Sequence, residues 1–223
     1  MSTAKKHTKN KQPWPTKQAM AQVYDLNLWG GESTEFYSGE GSHHPEIVKP
    51  YIKAVTSFLT SFEPALSVCD LGCGDFNIGK KLVKHTNKYI AVDIVDDLIT
   101  YNKEKFKADN LEFLCLDIAE DALPSANCVI IRQVLQHLSN KEILRVLQKL
   151  ITYKYIILTE HIPNGEFLSN KDIISGQGIR LKKNSGLNIL ETPFNFQVKE
   201  IKELQSFCLE GHKGVIKTIV YYL

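Results

Sequence analysis

This 223-residue chain has no apolar run approaching the roughly 18 residues that a membrane helix needs, so no transmembrane segment is expected. Its N-terminus carries lysines without an apolar stretch behind them, so no secretory signal is expected either. Cysteine is sparse and unpaired in pattern: five residues stand singly at 69, 73, 115, 128 and 208. Three of them, Cys69, Cys115 and Cys128, fall inside apolar strand-like runs, which predicts buried, reduced thiols in a cytoplasmic protein. Cys69 and Cys73 lack zinc-knuckle spacing and a second ligand pair. The His43-His44 pair with Glu46 reads as a helix start, so no metal site is expected.

The folded body also lacks an excess of basic charge. Lys5, Lys6, Lys9, Lys11 and Lys17 all precede the first acidic residue, Asp25, and without them 22 basic residues face 25 acidic ones. The net charge of +2 is therefore a property of a tail, read here as a flexible basic segment over residues 1–20. A nucleic-acid reader would carry its basic face on the folded domain, so nucleic acid is disfavoured as a partner.

What is present is an alternation. Ala65–Leu71, Tyr89–Ile94, Leu111–Leu116, Ala126–Ile131 and Tyr153–Thr159 read as apolar strands. Between them, Ile78–His85, Asp96–Ala108 and Gln133–Leu150 read as helices, the last broken near Ser139-Asn140, where Asn140 can cap the second piece. Near-continuous apolar strands with helical crossovers predict an α/β, doubly wound, mostly parallel sheet covered on both faces. Upstream, Pro45–Phe62 is an amphipathic helix pattern built on Ile47, Tyr51, Ala54, Val55 and Phe58. Downstream, residues 165–193 are polar and glycine-rich, a loop laid over the site, and "GVIKTIVYYL" is a β-rich run that should close the sheet. The expected organisation is a tail over 1–20, a lid and helix over 21–62, and a catalytic domain over 63–223.

The stretch "DLGCGDF" follows the first strand. A dinucleotide fingerprint would place its third glycine at position 77, where Asn77 stands, which argues against NAD or FAD. What remains is D-x-G-x-G: Asp70, Gly72 and Gly74, with Cys73 between the glycines. Two glycines let backbone approach a ligand, and an acid at the strand end offers an acceptor. That suits a ligand bearing an amino group and a carboxylate, the latter favoured by amides at a helix N-terminus. Asp93 ends the second strand, 19 residues after Gly74, where it can accept from a ribose diol. Asp117 ends the third strand, placed to accept from an adenine amino group. Ile94 and Ile118 follow these two acids and offer apolar contact.

These motifs resemble those of the class I S-adenosylmethionine-dependent methyltransferases. "DLGCGDF", "AVDI", "LDI" and "ANCVIIRQVLQHLS" match the first four motifs in order. The resemblance covers roughly residues 62–160 and implies a seven-stranded sheet with S-adenosyl-L-methionine as cofactor. It implies that Asp70, Gly72 and Gly74 surround the methionine moiety and that Asp93 holds the ribose. The chain departs at the third family glycine, where it has Phe76. Less completely, it is similar to a bacterial subgroup of unassigned substrate. There "WG…SG-x-GS" lies N-terminal, and "TEH…IRL…SG…PF" follows the fifth strand; both occur here.

Methyl transfer from a sulfonium asks chiefly for alignment, with a base for a hydroxyl acceptor and only neutrality for an amine. His137 and the Glu160-His161 pair are the candidate bases, the latter because open-sheet sites lie at the carboxyl ends of parallel strands. Gln133 sits one helical turn before His137. Arg132 is a candidate anion binder assigned to the cofactor, and Arg180 an acceptor-side residue on the loop. In "LWGGESTEFYSGEGSHH", Trp29, Tyr37 and Ser38 are expected to form a lid that excludes water.

The sequence thus favours methyl transfer to an O or N atom of a small molecule, with sugar or glycan precursors among the candidates. An RNA methyltransferase would show strongly salt-dependent RNA affinity, and an N-P-P-Y segment is absent after the fourth strand. A non-catalytic donor-binding module would bind the donor without turnover.

Overall fold

In this computed structural model, residues 13–31, 35–208 and 213–223 are described. Strands β1 (Ser67–Leu71), β2 (Lys88–Asp93), β3 (Leu111–Cys115), β4 (Cys128–Arg132), β5 (Tyr155–Ile162), β6 (Glu200–Phe207) and β7 (Val215–Tyr222) form one sheet. Its order is β3-β2-β1-β4-β5-β7-β6, with β1 to β5 parallel and β7 antiparallel to both neighbours. The doubly wound, mostly parallel, seven-stranded sheet expected from the alternation is present.

The central strands are mostly apolar, and β1 and β4 are buried along almost their whole length, because both their faces are covered. One face carries α5 (Asn140–Leu150), which buries Ile143, Val146, Leu147 and Leu150 against Val129, Ile131, Ile156 and Leu158. The other carries α3 (Pro45–Leu59), whose Val48, Tyr51, Val55, Phe58 and Leu59 meet Val68, Ile130, Ile157 and Val220. Helix α4 (Asp96–Lys105) follows β2.

Several expectations are corrected. The β-rich C-terminal run does not form the sheet's edge; it is β7, inserted between β5 and β6. The edge strand β6 is mostly exposed and carries Glu200, Lys202 and Glu203, the charged pattern of a protected edge, which hid it from a search for apolar runs. The segment after the glycine turn is not an α-helix but two 3₁₀ turns, Gly79–Lys81 and Val83–His85. The cap of α5 is Ser139 rather than Asn140, in a full capping box with Glu142. Asn140 instead accepts from Arg180 and donates to the Asn170 carbonyl.

The basic tail expected over 1–20 lies outside the described residues as far as residue 12. Beyond that, Thr16–Asp25 is helix α1, with two Ala, two Gln and one Met among its ten residues. A short α2 (Glu40–His43) leads into α3. All five cysteines are free thiols; Cys69, Cys73 and Cys128 are buried, while Cys208 is exposed. Among the described residues, no helix is long and apolar enough to cross a membrane, and no cluster could hold a metal ion.

Candidate active site

A cavity of about 370 Å³ lies over the carboxyl ends of β1 to β4, within the range of roughly 300–1,000 Å³ usual for small-molecule sites. Its floor is the glycine turn. Gly72 and Gly74 have φ of +77° and +56°, and a Cβ on either would collide with Val134 or with Ser38. Both positions thus require glycine, for backbone geometry and for space. Phe76, where the family pattern has a glycine, also adopts a left-handed φ of 61°. That geometry costs about 1–2 kcal/mol for a side-chain-bearing residue. Its ring is fully buried among Tyr89, Phe106 and Phe113, which offsets the cost.

Asp93 braces this turn. Its Oδ2 accepts the Gly74 N–H at 3.0 Å and its Oδ1 the Val95 N–H at 3.2 Å, leaving further lone pairs toward the cavity it lines. Burial raises its pKa against the pull of those amides. Asp117 also lines the cavity, its Oδ1 accepting the Ala119 N–H, and Ile94, Ile118 and Cys73 complete this wall.

Asp70 does not face the cavity. It lies beneath the turn and accepts the Tyr89 hydroxyl at 2.8 Å, and burial pushes its carboxyl up to about 7. Arg132 lines the cavity from the end of β4, stacked 4.7 Å from the Tyr51 ring centroid. It donates to the Gly41 carbonyl and to Ser42 Oγ, while its buried Nε has no partner. Arg132 thus ties the N-terminal segment to the sheet.

The N-terminal segment forms the roof. Trp29 lines the cavity with its ring 5.4 Å from that of His137. Ser38 lines it too, and grips Asp75 of the glycine turn. Tyr37 lies outside, stacked on His43 at 4.3 Å, and His43 Nε2 meets Asp75 Oδ2. Sequence reading missed Asp75 and Tyr24. The T-x-x-x-M-x-x-x-Y spacing of Thr16, Met20 and Tyr24, all cavity-lining, was the available signal for a helical roof.

His137 lines the cavity on its far side and is buried. Nδ1 faces the Gly176 carbonyl at 3.1 Å, so it carries the proton, and Nε2 lies 3.3 Å from Gln136 Nε2. Burial pulls its pKa down to about 4, so the ring is neutral at pH 7. Gln133, at φ 57°, lines this cavity and a smaller one of about 170 Å³.

The other acceptor-side candidates lie elsewhere. His161 lines the smaller cavity, and its Nε2 donates to the Lys213 carbonyl at 2.7 Å. Glu160 lies beneath the loop 165–193, 4% exposed, and neither carboxyl oxygen has a partner of good geometry. Burial pushes it up to about 8, against the pull of Arg180. Arg180 is 1% exposed and donates to the carbonyls of Leu135, Gln136 and Leu138, so it organises the chain after β4 instead of meeting a ligand. Its neighbours Ile179 and Lys182, with Gln177, bring the loop to the cavity.

Residues 68–153 match a family described as a methyltransferase domain. A 60-residue stretch, 26% of this chain, is 37% identical to malonyl-[acyl-carrier protein] O-methyltransferase of Acetivibrio thermocellus, and spans only 21% of that protein. Among solved structures, the chain is similar to the N-methyltransferase NodS of Bradyrhizobium japonicum in complex with S-adenosyl-L-homocysteine. The TM-score is 0.63 at 10% identity, over 93% of this chain and 98% of that one. It is also similar to magnesium protoporphyrin IX methyltransferase of Synechocystis with bound S-adenosylhomocysteine, with TM-score 0.58 at 14% identity, over 93% and 99% of the chains.

Proposed function

The chain carries a methyltransferase domain over residues 68–153 in the class I, Rossmann-like fold, and on that premise we propose that it transfers a methyl group from S-adenosylmethionine to an oxygen or nitrogen of a small molecule. The observation that carries this reading is the convergence on one cavity of a left-handed glycine pair, Asp93 and Asp117 from three successive strand ends. When bound, S-adenosylmethionine supplies a methyl group on a positively charged sulfur and thus its own leaving group.

The residues present fit that donor. Gly72 and Gly74 let the backbone approach it, and the remaining lone pairs of Asp93 accept from ribose hydroxyls. Asp117 accepts from the adenine amino group between Ile94 and Ile118. Arg132, which lines the cavity from the end of β4, places a cationic guanidinium near the donor's carboxylate. Holding an acceptor in line can supply on the order of 7–11 kcal/mol through proximity alone. His137 is the base candidate on the cavity wall: its ring is neutral at pH 7, with the proton on Nδ1 and the basic lone pair on Nε2, 3.3 Å from the Gln136 amide nitrogen. Trp29 and Ser38, from the roof, exclude water.

A roofed cavity of about 370 Å³ supports a small acceptor over a polymer. The similar proteins act on different acceptors, so the acceptor is to be found by experiment, sugar and glycan precursors first. The test is incubation with labelled donor and fractionated metabolites, alongside thermal melting. S-adenosylmethionine and its demethylated product should raise the melting temperature, by about 2.7 kcal/mol of stabilisation at a hundredfold excess over Kd. A shift with NAD and none with the methionine donor would overturn the reading.

A further inference from the structure

Glu142 stands where three separate pieces of chain meet. As the third residue of α5 it closes the capping box, accepting the Ser139 N–H at 3.1 Å and the Ser139 hydroxyl, while its own N–H reaches Ser139 Oγ at 3.4 Å. A cap needs no more than this. Yet its other oxygen, Oε1, accepts the hydroxyl of Thr16, 126 residues away at the start of α1. Oε2 also accepts the hydroxyl of Ser175 from the loop over the site.

Each arm leads to a cavity wall. Thr16, Met20 and Tyr24 recur every fourth residue, so one face of α1 looks into the cavity, and Glu142 lines it beside them. Helix α1 has one buried residue, Val23, and no side-chain N-cap of its own. Its polar attachments are Thr16 to Glu142, Lys17 to Asp96 at 2.6 Å on the exposed side, and Tyr24 to Ser38 at 3.0 Å, while at its far end Tyr24 also meets the rings of Trp29 and Phe36 edge-on. On the other arm, Gly176 follows Ser175 directly and exchanges two hydrogen bonds with His137, through its N–H at 3.0 Å and its carbonyl at 3.1 Å. One carboxylate therefore fixes the roof helix and the segment that orients His137.

We propose that Glu142 is a positioning residue, a latch that holds α1 and the Ser175 segment closed over the cavity and thereby sets how fast a bound donor leaves. The apolar and aromatic contacts of α1 lie at its far end, on Val23 and Tyr24, so the charged hydrogen bond at its first residue controls whether the near end of the roof stays down. The proposal rests on the reading of this cavity as the donor site.

The test separates latch from cap. Thr16→Val removes only the roof arm and leaves the capping box intact; Ser175→Ala removes the loop arm together with the Ser175 Oγ that accepts the Ser139 N–H at 2.7 Å; Glu142→Gln keeps a box-competent side chain without its charge. S-adenosylhomocysteine dissociation is followed by stopped-flow fluorescence of Trp29, with melting of the ligand-free protein in parallel. In Thr16→Val the dissociation rate should rise roughly tenfold, as a lost charged hydrogen bond implies, with melting little changed. Ser175→Ala and Glu142→Gln should also speed dissociation. Wild-type dissociation rates in Thr16→Val and Ser175→Ala, with Glu142→Gln changed only in melting temperature, would reduce Glu142 to a helix cap and overturn the latch. No binding of S-adenosylhomocysteine by the unaltered chain would overturn the donor-site reading and the latch with it.

Discussion

Ser38 and Asp75 hold each other by two reciprocal hydrogen bonds: the Ser38 N–H donates to Asp75 Oδ2, and the Asp75 N–H donates to Ser38 Oγ, both at 2.8 Å. The roof is thereby fastened to the glycine turn it covers. Tyr24 adds a third contact, its hydroxyl 3.0 Å from Ser38 Oγ. Ser38→Ala removes the acceptor of the Asp75 amide and the partner of Tyr24 while sparing the Ser38 N–H. Donor affinity should fall about two- to tenfold, at roughly 0.5–1.5 kcal/mol per neutral bond. Titration calorimetry checks this, and unchanged affinity would detach the roof from donor binding.

Asp93 has two tasks, and its variants should separate them. Asp93→Ala removes acceptors for the ribose and the anchor of the Gly74 amide, so donor affinity should drop at least tenfold and melting temperature should fall too. Asp93→Asn keeps one side-chain oxygen for Gly74. It should melt closer to the parent while still binding the donor more weakly. Equal donor affinity in parent and Asp93→Asn would remove the ribose role.

His137 should matter for turnover without titrating near neutrality. Its pKa, drawn down from 6.5 to about 4 by burial, keeps the ring neutral across the usual assay range. If the ring takes the acceptor's proton, His137→Ala should cost about 10²–10⁴ in kcat with donor affinity nearly intact. A loss confined to KM would mean that it only binds acceptor. The pH–rate profile of the parent should show no step near pH 6.5 from this residue; such a step, lost in His137→Ala, would contradict the buried, neutral ring.

Glu160 should govern stability against pH and leave turnover alone. Its carboxyl, ordinarily near 4.5, is pushed up to about 8 in the folded chain. Between these values the folded state holds a proton that the unfolded state has released, so stability falls by about 1.4 kcal/mol for each pH unit of rise. The contribution is complete below pH 4.5 and gone above 8. Glu160→Gln cannot titrate. Its melting temperature should therefore gain on the parent's from pH 5 to 8 and hold that difference above, with normal turnover per folded molecule. Parallel melting curves across this range would refute the raised pKa, and lost turnover would return Glu160 to the site.

The glycine turn and the strand-end acids were legible in the sequence because they are local. Asp70, Asp93 and Asp117 each close an apolar run, and a parallel sheet delivers such ends to one rim. Which way each side chain then points was not legible from that reading. Asp70 sits below the turn with Tyr89, while Asp93, at the end of the next strand, faces the cavity. Glu160 and His161, adjacent on β5, necessarily emerge on opposite faces, so a single expectation for both could not hold.

The sequence by itself determined the doubly wound sheet and the place of its site, since strand burial and a left-handed glycine turn are written in neighbouring residues. Only the tertiary structure decided what covers that site. Helix α1 reaches Glu142 across 126 residues, Arg180 reaches the carbonyls of residues more than 40 positions upstream, and the charged edge strand β6 has no apolar run to announce it. Such polar, long-range contacts leave no periodicity in the chain. They form only once the apolar core has fixed which surfaces meet.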